Sequence, residues 1–187
     1  MDEFGYLSVL LSIIIGLAVT EVLQGLRRRM LSHAAVKGYW PTQVWAGVLL
    51  LVCTQTWWAM FDLRDRHDWE FEQFLVLLTQ TVLLYLAAGL VFPEFGGTDA
   101  IDLRAHYFRQ RKRFFGLLLG ATVTSIYRDW TLDHALPERT NLAFHLVFIA
   151  FAASGIVLAR EWYHKFLTVF TALGFLFYIT SLFTRLH

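Results

Sequence analysis

Six runs of roughly 17 to 22 mostly apolar residues, parted by short charged stretches, restrict this chain more than any other feature of its sequence. A run of that length, wound as a helix at about 1.5 Å per residue, matches a hydrocarbon core about 30 Å thick. The blocks are residues 6–26, 41–62, 71–92, 114–130, 141–159 and 166–186. The expected fold is therefore all-α: one polytopic membrane bundle of six transmembrane helices spanning 1–187, with no soluble domain. Charged residues make up only 17% of the chain, against about 25% in an ordinary soluble domain.

Independent punctuation supports these boundaries. Pro41 opens the second block, Pro93 closes the third and Pro137 follows the fourth, so no proline interrupts a helix. All seven tryptophans fall near block ends or in loops, the depth that an amphipathic indole prefers. The fourth block is the weakest, being short and ending in Arg128 and Asp129; five spans and a re-entrant segment form the fallback. Acidic Met1-Asp2-Glu3 before the first block, with the basic run after it, argues for a retained helix and not a cleaved signal peptide.

Counting Lys and Arg by alternate loops gives eleven on one side (residues 27–37, 104–113, 160 and 165) and five on the other. Cytoplasmic loops carry the basic excess, so both termini are expected on the periplasmic or extracellular side. Between the third and fourth blocks, a short helix over 102–115 is expected to lie in the interface. There Arg104, His106, Arg109, Arg111, Lys112 and Arg113 are candidates for contact with anionic lipid headgroups.

Composition also excludes several functions. A net charge of +1 provides no basic face for nucleic acid, and the single Cys53 rules out an internal disulfide or a multi-cysteine cluster. The seven histidines are scattered without ligand spacing, so no metal or other cofactor is expected. No nucleophile with its base, Gly-rich phosphate loop or metalloprotease pattern is present.

Polar residues within the blocks carry the remaining information. In the first block Ser8, Ser12, Gly16 and Thr20 recur every fourth residue, and in the fourth Gly116, Gly120 and Thr124 repeat the device. Such grooves permit close helix packing in lipid, within one chain or between copies of a homo-oligomer. Glu21 is an intramembrane acid, and Gln24, Gln55, Gln80 and Tyr85 are further candidates for lining a pathway. A structural ion pair for Glu21, and simple helix-to-helix hydrogen bonds for the rest, are the ordinary readings. The charged 62–70 segment reads as a solvated cap, or as an acidic vestibule for cations.

At Tyr39-Trp40-Pro41, Trp57-Trp58 and residues 102–109 the chain resembles a group of small, uncharacterised bacterial membrane proteins. That resemblance implies a bacterial inner membrane and brings no activity, cofactor or site. An ion channel or small-solute carrier, self-associating, is the leading expectation. The alternatives are a non-transporting structural or regulatory subunit of a membrane complex, and an enzyme acting on a lipid or quinone at the cytoplasmic interface.

Overall fold

The computed structural model describes residues 3–32, 35–95 and 100–182, and is all-helical apart from one two-residue strand pairing. Six helices form: α1 Glu3–Leu31, α2 Trp40–Ala59, α3 Phe71–Gly89, α4 Leu103–Asp133, α5 Arg139–Val157 and α6 Glu161–Leu182. A 3-10 turn, Met60–Leu63, extends α2. Four of the six, α1, α2 with its extension, α3 and α5, are long and apolar enough to cross a membrane. α4 carries five Arg and Lys between 104 and 113 as well as Arg128, Asp129 and Asp133. α6 opens on Glu161, His164 and Lys165.

Local sequence explains where the helices begin and end. Pro41 sits in the first turn of α2, where its missing N–H costs no hydrogen bond. Glu70 and Gln73 close a reciprocal capping box at the start of α3. The Asp102 carboxylate accepts from the backbone N–H of Arg104 and Ala105, capping α4. Pro137 and Glu138 separate α4 from α5, after His134 leaves the helix at φ 51°.

α4 departs from the expected pattern. The interfacial helix anticipated over 102–115 and the span anticipated over 114–130 are one uninterrupted helix of 31 residues. No proline falls between 103 and 133, and isolated Gly116 and Gly120 each cost only about 1 kcal/mol in a helix, too little to break it. α1 likewise runs past the expected 6–26 at both ends, α3 stops at Gly89 instead of residue 92, and α6 begins at Glu161 instead of 166. Residues 183–186 of the last block lie outside the described residues.

Helices α2, α3, α4, α5 and α6 form a closed ring in which each packs on the next and α6 returns to α2. α1 stands outside, against α3 and α2. Its inward stripe is Leu11, Ile15, Ala18, Val22 and Gly25, and the Gly25 backbone lies so close to the Phe92 ring that a Cβ would overlap it. At one end the connection after α1 pairs with the connection after α3: β1 Val36–Lys37 lies parallel to β2 Ile101–Asp102, with Lys37 3.5 Å from the Asp102 carboxylate. Leu10, Ile13, Leu17, Leu146, Phe170 and Phe177 point outward, an apolar exterior that lipid would cover.

Candidate functional site

The helix ring surrounds a cavity of about 120 Å³. Its lining follows from the antiparallel helix order. Towards the end formed by Trp45 of α2, Phe115 of α4 and Phe151 of α5, the wall is aromatic and aliphatic. Towards the other end it is polar, lined by Gln55 and Thr56 of α2, Ser125 and Arg128 of α4, His145 of α5 and Tyr178 of α6. Gln80 of α3 and Thr171 of α6 face it between these ends.

Most of the polar end is satisfied by protein partners. His145 Nδ1 lies 2.8 Å from the Asn141 carbonyl and must donate to it, which leaves Nε2, 3.1 Å from Ser125 Oγ, to accept the serine hydroxyl. Tyr178 donates to Asn141 Oδ1 at 3.1 Å. The Arg128 guanidinium bonds to Asp129 Oδ1 through Nε at 2.8 Å and Nη2 at 2.6 Å, so its charge is balanced by the adjacent residue.

Two groups are different. Gln80 and Thr171 line the cavity and are each 7% exposed, and among the described residues their buried atoms Oε1 and Oγ1 have no hydrogen-bond partner. Leaving such an atom unpaired costs about 1–3 kcal/mol.

The aromatic end is a firm floor. Trp45 packs edge-on against Phe114 and Phe115, with centroids 5.2 and 5.3 Å away, and its indole N–H donates to Thr168 Oγ1 at 3.0 Å. Gly155 of α5 lets Phe115 approach; a Cβ there would lie 2.9 Å from the ring. Below the floor, His164 Nε2 donates to the Leu158 carbonyl at 2.7 Å, so Nδ1 accepts from the Tyr107 hydroxyl at 3.0 Å.

Of the residues expected to line a pathway, Gln55 and Gln80 meet at this cavity; Glu21, Gln24 and Tyr85 do not. Glu21 is half-buried on α1 and, among the described residues, has no ion pair or hydrogen bond. Gln24 accepts from Arg28 one turn later at 3.0 Å. Thr54 and Thr79, neighbours of the two glutamines in sequence, point outward and bond to carbonyls of their own helices.

The small-residue row of α1 lies away from its buried stripe: Gly16 has nothing within 4 Å of where a Cβ would be, and Ser8 and Thr20 donate to Gly5 and Gly16 carbonyls. On α4, Gly116 is equally open, Thr124 is half-buried, and Gly120 meets Leu83 of α3 at 3.4 Å.

The basic group at the start of α4 separates into two sets. Arg104, Arg109, Lys112 and Arg113 are exposed, whereas His106 and Arg111 turn inward. Arg104 bonds to Glu161 at 2.7 Å, and Lys165 reaches the same carboxylate at 2.9 Å; these two cations hold Glu161 below the usual carboxylate range. His106 sits 2.9 Å from the Leu90 carbonyl, and burial pushes its pKa down. Tyr39, beside this cluster, is pushed up to about 12 by burial, with Glu161 adding and Arg104 opposing.

Sequence reasoning identified the two glutamines because an amide is conspicuous in an apolar block. It missed Ser125, Thr171 and Tyr178, whose residue types occur on lipid faces and helix contacts alike; only the closure of the ring brings them together. Among the described residues no cluster of three metal-ligating side chains exists. No protein-family model, curated protein or solved structure matches this chain.

Proposed function

We propose that this protein is a six-span carrier of a bacterial inner membrane, with both termini on the periplasmic side, that takes a small, uncharged, amphipathic solute into the ring cavity. The observation that carries this reading is the pair of unpartnered buried groups, Gln80 Oε1 and Thr171 Oγ1, on residues that line one cavity. An acceptor and a hydroxyl call for a solute head with an N–H or O–H. Arg128 is already balanced by Asp129, so the site has no spare full charge to match an ion. A volume near 120 Å³ is comparable to the roughly 150 Å³ apolar cavity that admits benzene, and the aromatic end suits one ring or a short alkyl body.

The same geometry favours a carrier over a channel through one chain, because Trp45 and Phe115 close the cavity opposite its polar end. Orientation rests on the eleven-to-five distribution of Lys and Arg. The exposure of Arg109, Lys112 and Arg113 supports contact with anionic lipid on the cytoplasmic side.

The deciding experiment uses the purified protein in nanodiscs and in liposomes. Benzyl alcohol and benzamide should raise its thermal unfolding midpoint more than benzene does, and Gln80→Leu should abolish the difference. Acetamide entry into proteoliposomes, read by light scattering, should exceed that into empty vesicles. Equal stabilisation by benzene and benzyl alcohol would defeat the binding site; binding without solute entry would leave the non-transporting subunit.

A second reading has its own support. The row Ser8, Ser12, Gly16 and Thr20, with open space at Gly16 and Glu21 unpaired on the same helix, suits a homo-oligomer assembled through α1. Mass measurement in detergent before and after Gly16→Ile tests it: a monomer in the unaltered protein removes the oligomer.

A further inference from the structure

The polar end of the ring cavity holds one donor that the protein itself does not use. On α4 the cavity is lined at three- and four-residue intervals by Leu118, Thr122, Ser125 and Arg128, one face of the helix. Asp129 lies about 100° further round and is not a lining residue. Arg128 therefore turns part of its guanidinium aside: Nε and Nη2 both bond to Asp129 Oδ1. Nη1 forms no hydrogen bond among the described residues and, unlike Gln80 Oε1, is not sealed by burial. The side chain as a whole is 19% exposed.

A guanidinium has N–H donors on all three nitrogens and no lone pair to offer, so Nη1 can only receive an acceptor atom. Asp129 already cancels the charge, and an anionic head would place a second negative group beside that carboxylate. An uncharged oxygen gains a charge-assisted bond, roughly twice as strong as a neutral one, without adding charge. Thr122 donates to the Leu118 carbonyl and Ser125 to His145, which leaves Arg128 as the donor on this face of α4. Gln80 of α3 lines the cavity nearer its middle, whereas Arg128 stands at its end. A head that serves both needs an acceptor and a donor on neighbouring atoms, not on a single hydroxyl.

We propose that the solute of this cavity is a small carboxamide, whose carbonyl oxygen accepts from Arg128 Nη1 and whose N–H is directed to the side of Gln80. The proposal rests on the cavity reading above and adds to it the acceptor half of the head.

The test compares four five-membered rings of similar size on the full chain in nanodiscs: 2-pyrrolidinone (C=O and N–H), cyclopentanone (C=O alone), pyrrole (N–H alone) and cyclopentane (neither). Thermal midpoints titrated with each ligand give apparent affinities. The lactam should bind about tenfold more tightly than pyrrole, and cyclopentanone about tenfold more tightly than cyclopentane. Replacing both partners, Arg128→Met with Asp129→Asn, leaves no lone buried charge and should erase both carbonyl gains without changing pyrrole. The carbonyl band of bound, 13C-labelled cyclopentanone should lie at lower frequency than in cyclohexane, an infrared readout that needs no variant. Cyclopentanone no better than cyclopentane, an unshifted band, or gains that survive the double variant would each overturn the carboxamide, while an advantage of pyrrole over cyclopentane would still uphold the cavity. Equal affinity for all four rings would remove the cavity reading itself, and the carboxamide with it.

Discussion

The Tyr107 hydroxyl lies 3.0 Å from Nδ1 of His164, and the other nitrogen of that ring is 2.7 Å from the Leu158 carbonyl. His164 is fully buried, so this chain of two hydrogen bonds determines its tautomer and ties α4 to α6 and to the connection before α6. Tyr107→Phe removes the donor and leaves Nδ1 orphaned. A loss of about 1–3 kcal/mol is expected, measured as a fall in thermal or denaturant midpoint. An unchanged midpoint would mean that another donor already serves His164.

Gln80→Leu should behave in the opposite way. The amide oxygen is buried without a partner, so an apolar replacement of similar volume removes a desolvation cost instead of a bond. The unliganded variant should be as stable as the parent or more so, compared by unfolding in the same detergent, even though it loses stabilisation by benzyl alcohol. A loss above about 2 kcal/mol would show that the amide is engaged elsewhere.

Three glycines should respond according to their surroundings. Gly25→Ala and Gly155→Ala each force a methyl into an aromatic ring, Phe92 or Phe115, and should cost about 1–3 kcal/mol by overpacking. Gly16→Ala meets open space and should be neutral or slightly stabilising, since alanine is the better helix former. Midpoint measurements on the three variants give the comparison, and an equal loss in all three would contradict the packing of α1.

Acid should loosen the end where Arg104 and Lys165 meet Glu161. The folded-state pKa of Glu161 lies below its ordinary 4.5 because both cations bond to it. Its contribution is therefore complete above about pH 4.5 and disappears as pH falls through the lowered folded-state value. Asp102, also lowered by the backbone N–H groups it caps, acts in the same direction. The midpoint should drop on acidification below that range, and Glu161→Gln should flatten the drop.

Orientation can be read by cysteine labelling, since the single natural thiol, Cys53, is buried and replaceable by Cys53→Ala. In intact spheroplasts Asp68→Cys should react with a membrane-impermeant maleimide and Arg109→Cys should not. The reverse pattern would invert the proposed topology.

Much of the fold can be read from residue order, because block length, proline position and caps act locally. The start of α2 at Trp40 is visible in Pro41, and that of α3 in the Glu70–Gln73 pair. α4 was obscured because a basic, interface-like segment continues without a breaker into an apolar one, and a change in composition does not end a helix. The cavity was half visible through Gln55 and Gln80. Thr171, Ser125 and the inward turn of Arg111 were hidden, since the face a residue presents depends on which helix closes the ring. Arg111 in particular sits within a run of cations that reads as uniformly solvated.

The short parallel pairing of Val36–Lys37 with Ile101–Asp102 joins two connections that have both α2 and α3 between them in the chain. It cannot form until both helices have emerged, but it waits for no part of α4, α5 or α6. Once set, it holds the start of α2 beside the start of α4, since its strands end three residues before Trp40 and one before Leu103.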